Sequence, residues 1–210
     1  MLNLLYDCSG KHLNIALYQQ NKLLAKQNIC ENHRHSELLV SSIDKILQSN
    51  KISYSDINKV ITTTGPGSFT GLRVGLTFAK ILKLTKQTKI MAIDNFSIYA
   101  YWYYKYLKKN GDIYIALDSG NQQIYLAKYS INTNKFYRKE QSFAVKFADF
   151  KISDSVFCGN IEQIRNLEKS YYQKDIDLQI LQQMSNDLED SKPFTEDCDY
   201  SILQPQYTIF

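Results

Sequence analysis

The first thirty positions hold three apolar or alternating runs, Leu2 to Tyr6, Leu13 to Tyr18 and Leu23 to Ile29. Polar breaks at Ser9-Gly10-Lys11 and Gln19-Gln20-Asn21 predict three strands joined by turns. The period then changes: Leu39, Ile43, Ile46 and Leu47 fall at i, i+4, i+7 and i+8, which predicts a helix from Ser36 to Gln48 with one apolar face. A strand over 59–64, a helix over 69–84 and a short strand from Ile90 to Ile93 follow. From Ile113 the pattern restarts, with a strand to Leu117, strands over 123–130 and 135–144, a late strand at Val156 to Gly159 and a helix over 160–173. The stretch from Asp187 to Asp199 is acidic and weakly patterned, a loop or a short helix.

Between the halves, Ile98 to Leu107 carries aromatics round nearly every face, with Asp94, Asn95 or Ser97 available as a helix cap. The plain reading is a buried helix whose tyrosine hydroxyls reach the rim. Base stacking on exposed tyrosines and a protein interface are the alternatives.

The 210 residues, 44% of them hydrophobic, suffice for one large or two small domains. A charged-then-apolar leader and an apolar run of about 18 residues are both missing, so the expectation is a cytoplasmic protein with no membrane partner. Cys8, Cys30, Cys158 and Cys198 form no CxxC pair and read as incidental thiols in a reduced compartment. A net charge of +4 is too mild to predict nucleic-acid binding without a clustered basic face.

The densest local signal is Gly65-Pro66-Gly67-Ser68-Phe69-Thr70-Gly71, between an apolar strand and an apolar helix. Gly and Pro there require a tight turn, and Ser68 or Thr70 can cap the helix that follows. A glycine-rich turn feeding a helix N-terminus suggests a phosphate cradle, yet the Walker pattern fails because no Lys follows Gly71. The nucleophile elbow fails too, with Pro66 standing where Gly is needed. Gly71, Gly75 and Ala79 share one helix face at i, i+4 and i+8, at a cost of about 1 kcal/mol per Gly in helix propensity. Such a stripe admits a close neighbour, either the chain's own sheet and helices or a partner subunit. Arg73 lies one turn in, against the positive helix end, where an ion pair across an interface or a bound anion would explain it as well as plain exposure. His33, His35 and Glu37 suggest a metal cluster only briefly, since spacing i, i+2 puts the rings on different helix faces. No metal site is expected.

The glycine-rich loop, with Leu72-Arg73-Val74-Gly75, strongly resembles the signature of the TsaB (YeaZ) family, non-catalytic paralogues of the TsaD/Kae/Qri enzymes that make threonylcarbamoyladenosine in tRNA. Leu4-Leu5-Tyr6-Asp7-Cys8-Ser9 resembles the family's opening strand, Arg34-His35-Ser36-Glu37-Leu38-Leu39 its first-helix motif, and Ile115-Ala116-Leu117-Asp118 the start of its second half. The first hundred residues match well and the rest loosely.

Asp7 and Asp118 stand about half the chain apart in equivalent positions, and this repeat predicts two domains, 1–110 and 111–210, the tail packing back on the first. Strand, hairpin, hairpin, helix used twice is the order of the actin-like ATPase (ribonuclease H-like) fold, an α/β class with two mixed sheets flanked by helices. In an active member the hairpins at Asp7, Ser9, Asp118 and Ser119 would flank phosphates; here structural hairpins are the default and a vestigial nucleotide site the alternative.

The resemblance implies a pseudo-enzyme subunit that binds and activates a TsaD-like carbamoyltransferase. A TsaE-like ATPase would complete the assembly, a TsaC-like enzyme would supply threonylcarbamoyl-adenylate, and tRNA would enter as substrate of the complex. No cofactor is expected in the chain itself, with ATP or ADP at the complex interface. The partner surface, or a homodimer when the chain is alone, would use His35, Leu38, Leu39 and Ile43 of the first helix with Gly71, Leu72, Arg73, Gly75, Leu76 and Ala79 of the second. The rival reading is a stand-alone ATP-binding kinase or hydrolase of the same superfamily resting on Asp7 and Asp118.

Overall fold

The structure, a computed structural model, describes residues 1–30, 34–118, 123–133, 135–140, 142–150, 155–165 and 169–190. Two compact units emerge, one formed by Met1–Ile93 with the segment from Asp177, the other by Asp94–Ile176.

In the first unit, strands β1 (Leu2–Asp7), β2 (Leu13–Gln19), β3 (Lys22–Ile29), β4 (Lys59–Gly65) and β5 (Lys89–Asp94) form one sheet in the order β3-β2-β1-β4-β5. β1 runs antiparallel to β2 and parallel to β4, the crossover carrying helix α1 (His35–Ser49). Helix α2 (Phe69–Lys86) follows β4, and the two helices pack on each other. Leu4 and Tyr6 of β1, Leu13, Ile15 and Leu17 of β2, Leu39 and Ile43 of α1, and Ala79 of α2 fill one core without solvent exposure.

Alternation along β1 sends Asn3 and Leu5 to the other face, where helix α4 (Leu178–Asp190) lies against β1, β2 and β4. That contact is partly polar. The Lys59 ammonium donates to Ser185 Oγ at 2.6 Å, Asn3 Nδ2 donates to Gln182 Oε1 at 3.2 Å, and Gln182 Nε2 donates to the Gln20 carbonyl at 3.2 Å. Lys59 and Ser185 are both buried. A buried ammonium that loses a hydrogen-bond acceptor costs roughly 1.5–3 kcal/mol. Ser185→Ala should therefore lower the urea midpoint at unchanged slope, whereas Gln179→Ala, at an exposed position of the same helix, should shift it little. Equal midpoints for the two variants would show that the polar contact does not hold α4.

The second unit holds β6 (Gly111–Asp118), β7 (Gln123–Ile131), β8 (Phe136–Arg138), β9 (Phe143–Lys146), β10 (Val156–Gly159) and β11 (Ser170–Tyr172). The order is β11-β10-β6-β7-β8, with β9 also paired to β7. Helix α3 (Asn95–Trp102) packs on β6 and β10 and continues as a π-helical turn, Tyr103–Leu107. Asp94 caps α3, its Oδ1 accepting from the Ser97 amide at 3.1 Å, and it also pairs with Arg138. Among the described residues no helix is long and apolar enough to cross a membrane.

Two expected elements differ. The single strand over 135–144 is two short strands, β8 and β9, both on β7. The helix expected over 160–173 is a 3-10 turn at Glu162–Ile164 followed by β11, which adds a parallel edge to β10. α4 spans 178–186, where no element is expected, and the first residues of the acidic stretch expected as a loop or short helix, of which 191–199 lie outside the described residues.

Candidate functional site

The glycine-rich loop is built onto the end of β1. Gly65 has φ of +99°, a backbone that an L side chain rarely adopts, and the Gly65–Pro66 bond is cis. Ser68 donates its amide to the Ser9 carbonyl at 2.7 Å, and its Oγ accepts from the Gly71 amide at 3.2 Å as the α2 cap. A Cβ at Gly67 would stand 2.4 Å from the Ser9 carbonyl oxygen, and one at Gly71 would stand 2.0 Å from that of Cys8 and 3.0 Å from His35 Nδ1. At Gly75 it would meet Tyr6 Cε2 at 3.3 Å and Cys8 Sγ at 3.4 Å. The Tyr6 hydroxyl donates to the Gly75 carbonyl at 2.7 Å, and its ring meets Phe78 edge-on at 5.8 Å. The small-residue stripe thus lets α2 approach its own sheet.

Of the residues expected at a partner surface, His35, Leu39, Ile43, Gly71, Leu72, Gly75, Leu76 and Ala79 are buried within the chain. His35 Nε2 lies 3.3 Å from the Lys11 carbonyl, a structural contact at the start of α1. Of the expected residues, Leu38 is half-buried and Arg73 exposed. The Arg73 guanidinium lies over the Phe69 ring, 4.0 Å from its centroid, a contact worth about 0.5–1 kcal/mol at an exposed site.

What the two helices present to solvent is a set that the sequence reading passed over: Val40 at 45% exposure, Phe69 at 51%, Ile81 at 50% and Leu84 at 68%. Phe69, Arg73, Thr77, Ile81 and Leu84 recur at helical spacing opposite the glycines, and that periodicity was the available signal. α2 carries Arg73, Lys80, Lys83 and Lys86 and no carboxylate, so the apolar face is set among positive charges.

The two hairpin aspartates differ. Asp7 is buried, its Oδ1 accepting from the Ser9 amide at 2.9 Å and from the Thr63 hydroxyl at 2.8 Å. Burial raises its pKa, and the bonds from Ser9 and Thr63 oppose the rise in part. Burial, then the Asp7 charge, pushes the Cys8 thiol up, leaving it an inert core residue. Asp118 is exposed, and its amide donates to Asn160 Oδ1 at 2.8 Å. Ser119 and His33 lie outside the described residues. Among the described residues no three His, Cys, Asp or Glu side chains gather as a metal site would require.

The raised Asp7 pKa has a sign that can be checked. The folded state holds the proton more tightly than the unfolded one, so this group's contribution is full below the unfolded carboxylate pKa and is lost as pH rises through the folded value. Asp7→Asn should remove that dependence, gaining on the wild type as pH rises from acid to neutral. A stability difference between the two that is flat with pH would contradict the buried, proton-retaining carboxylate.

The family model for tRNA N6-adenosine threonylcarbamoyltransferase, TsaD, matches residues 28–182, roughly three-quarters of the chain. TsaB of Buchnera aphidicola subsp. Schizaphis graminum, named a tRNA threonylcarbamoyladenosine biosynthesis protein, is 29% identical over 65% of this chain and 64% of its own length. The Escherichia coli K12 protein of the same name is 26% identical over 66% of this chain and 59% of its own. These matches therefore span about three-fifths of those relatives. YeaZ from Pseudomonas aeruginosa shares the fold at a TM-score of 0.73 with 15% identity, covering 98% of this chain and 99% of that one. The fold is thus that of YeaZ, an α/β fold with two sheets flanked by helices. Taken with the loop and helix motifs, these likenesses place the chain in the TsaD family, among its TsaB (YeaZ) members.

Proposed function

We propose that this chain is the accessory subunit of a bacterial complex that makes threonylcarbamoyladenosine in tRNA. It docks on a TsaD-like carbamoyltransferase and orders that partner's active site, with the chemistry done by the partner. The observation that carries this reading is the set of exposed apolar side chains on α2, Phe69, Ile81 and Leu84, with Val40 exposed on α1. Two neighbouring helices give their small and apolar sides to their own sheet and still present four large apolar side chains to water. Such a face marks an association surface. On α2 the exposed set lies among Arg73, Lys80, Lys83 and Lys86, which favours a partner with carboxylates round an apolar centre, while Val40 on α1 stands between Glu37 and Asp44; the same surface serves a second copy when no partner is present.

The rival kinase or hydrolase reading needs Asp7 at the mouth of a phosphate site, whereas both donors that reach its Oδ1 come from the fold itself. A TsaE-like ATPase joins the assembly, bringing ATP or ADP to it, and tRNA is the substrate of the whole. Gel filtration of the purified chain with the TsaD-like protein of its own organism, with and without ATP, should give a joint peak. Separate elution under both conditions would refute the docking role. Micromolar Mg-ATP binding by the chain alone, lost in Asp7→Ala, would favour the rival.

A further inference from the structure

We infer that Arg73 is the specificity-determining residue of the α2 face and takes a carboxylate of the partner protein in a two-pronged hydrogen bond; this rests on the docking role proposed above. The Arg73 guanidinium lies over the exposed Phe69 ring, 4.0 Å from its centroid and one helical turn away. A ring offers a face and no lone pair, so this contact uses none of the five N–H donors. It restricts the rotamers of a long side chain, so less freedom is lost when an acceptor arrives.

The helix supplies no such acceptor. The positions one turn before and after Arg73 hold Phe69, Thr70, Leu76 and Thr77, and α2 contains no Asp or Glu. The two carboxylates of α1 have other partners. Glu37 accepts from Arg34 Nε at 2.8 Å, and Asp44 accepts from the Tyr54 hydroxyl. Arg73 also stands near the positive end of α2, which favours an anion. An incoming carboxylate would meet the guanidinium and that helix end together.

The surroundings fix the class of partner. Phe69, Arg73, Ile81 and Leu84 recur along one side of the helix, and the three apolar members are half-exposed or more. A carboxylate held among apolar contacts is shielded from water, where a charge-assisted hydrogen bond is strong. A small anion such as phosphate would gain nothing from those apolar neighbours, whereas a protein surface would cover them. Lysine in place of Arg73 would bring a point charge, without the planar fork that matches a carboxylate.

The test is surface plasmon resonance of the full chain against the TsaD-like protein of its own organism, with each variant's unfolding midpoint measured beside it. Arg73→Ala should weaken association roughly 30-fold or more, through faster dissociation, as loss of a hydrogen-bonded charge pair at an interface centre does. Arg73→Lys should lose nearly as much. Phe69→Leu keeps an apolar side chain and removes only the ring, and its complex should dissociate several-fold faster. Lys86→Ala, in the last turn and off the apolar stripe, should weaken association by less than about 5-fold and lower its salt dependence. Wild-type affinity in Arg73→Ala or full rescue by Arg73→Lys would overturn the proposal. So would displacement of the wild-type complex, but not of the Arg73→Lys complex, by inorganic phosphate at constant ionic strength. If Arg73→Ala lowers the unfolding midpoint, Arg73→Lys and Phe69→Leu decide the matter. Absence of any wild-type association would remove the docking role and this contact together; undiminished association in the Arg73 variants would remove this contact alone.

Discussion

Gly71→Ala is expected to lower the thermal unfolding midpoint by roughly 2–12 °C. The added methyl would stand 2.0 Å from the Cys8 carbonyl oxygen, which is main chain directly after the central strand β1 and cannot swing aside as a side chain would. His35 closes the site from α1 at 3.0 Å. Overpacking of this kind costs about 1–3 kcal/mol, and each kcal/mol moves the midpoint of a chain this size by roughly 2–4 °C. Gly75→Ala is the matched control. Its methyl meets a ring edge at 3.3 Å and a sulfur at 3.4 Å, both able to give by a few tenths of an ångström, and the gain in helix propensity of about 1 kcal/mol offsets the squeeze. Differential scanning calorimetry should separate the two. Equal shifts would mean that α2 does not lie on β1 as described, and the argument that its glycines serve the chain's own core would fall with it.

The second large effect lies on the opposite side of the same helix. Ile81→Glu with Leu84→Glu should leave the unfolding midpoint nearly unchanged, because both side chains already face water. Association with the TsaD-like partner should weaken at least about 30-fold, the level expected when central apolar contacts of an interface are lost. Sedimentation velocity across a concentration series reads this directly, and self-association of the chain alone should fall in parallel. Gly75→Leu, by contrast, would strike the packing of Tyr6 and Cys8 inside the unit. Any loss of association there would report damaged folding. Undiminished association in the glutamate variant would move the interface elsewhere.

These two predictions show where the amino-acid pattern was readable. Strands β1 to β5 and helices α1 and α2 follow from clean periodicity, since each has one apolar side and a polar break at its ends. Gly71, Gly75 and Ala79 announced a close neighbour, but a small-residue stripe looks the same whether that neighbour is the next strand or another subunit. The exposed set Phe69, Ile81 and Leu84 forms a second stripe, less conspicuous in sequence than the glycines opposite it. α4 buries Leu178, Leu181 and Met184, a readable apolar stripe, but Gln182 and Ser185 interrupt it where they meet Asn3 and the Lys59 ammonium. β11 escaped because a three-residue edge strand leaves almost no period to detect. Asp7 and Asp118 looked alike in sequence, and only the tertiary surroundings bury one and expose the other.

The central claim is that this chain works through the outer face of α1 and α2 while a paralogue performs the transfer. The most direct measurement is the yield of threonylcarbamoyladenosine, by chromatography of digested tRNA, from threonylcarbamoyl-adenylate and unmodified tRNA. It would be read with this chain alone, the TsaD-like protein alone, the two with the TsaE-like ATPase and ATP, and the same mixture carrying Ile81→Glu and Leu84→Glu. The account predicts product in the wild-type mixture, none from this chain alone and little from the variant mixture. Product from this chain alone, or a full yield from the variant mixture, would contradict it.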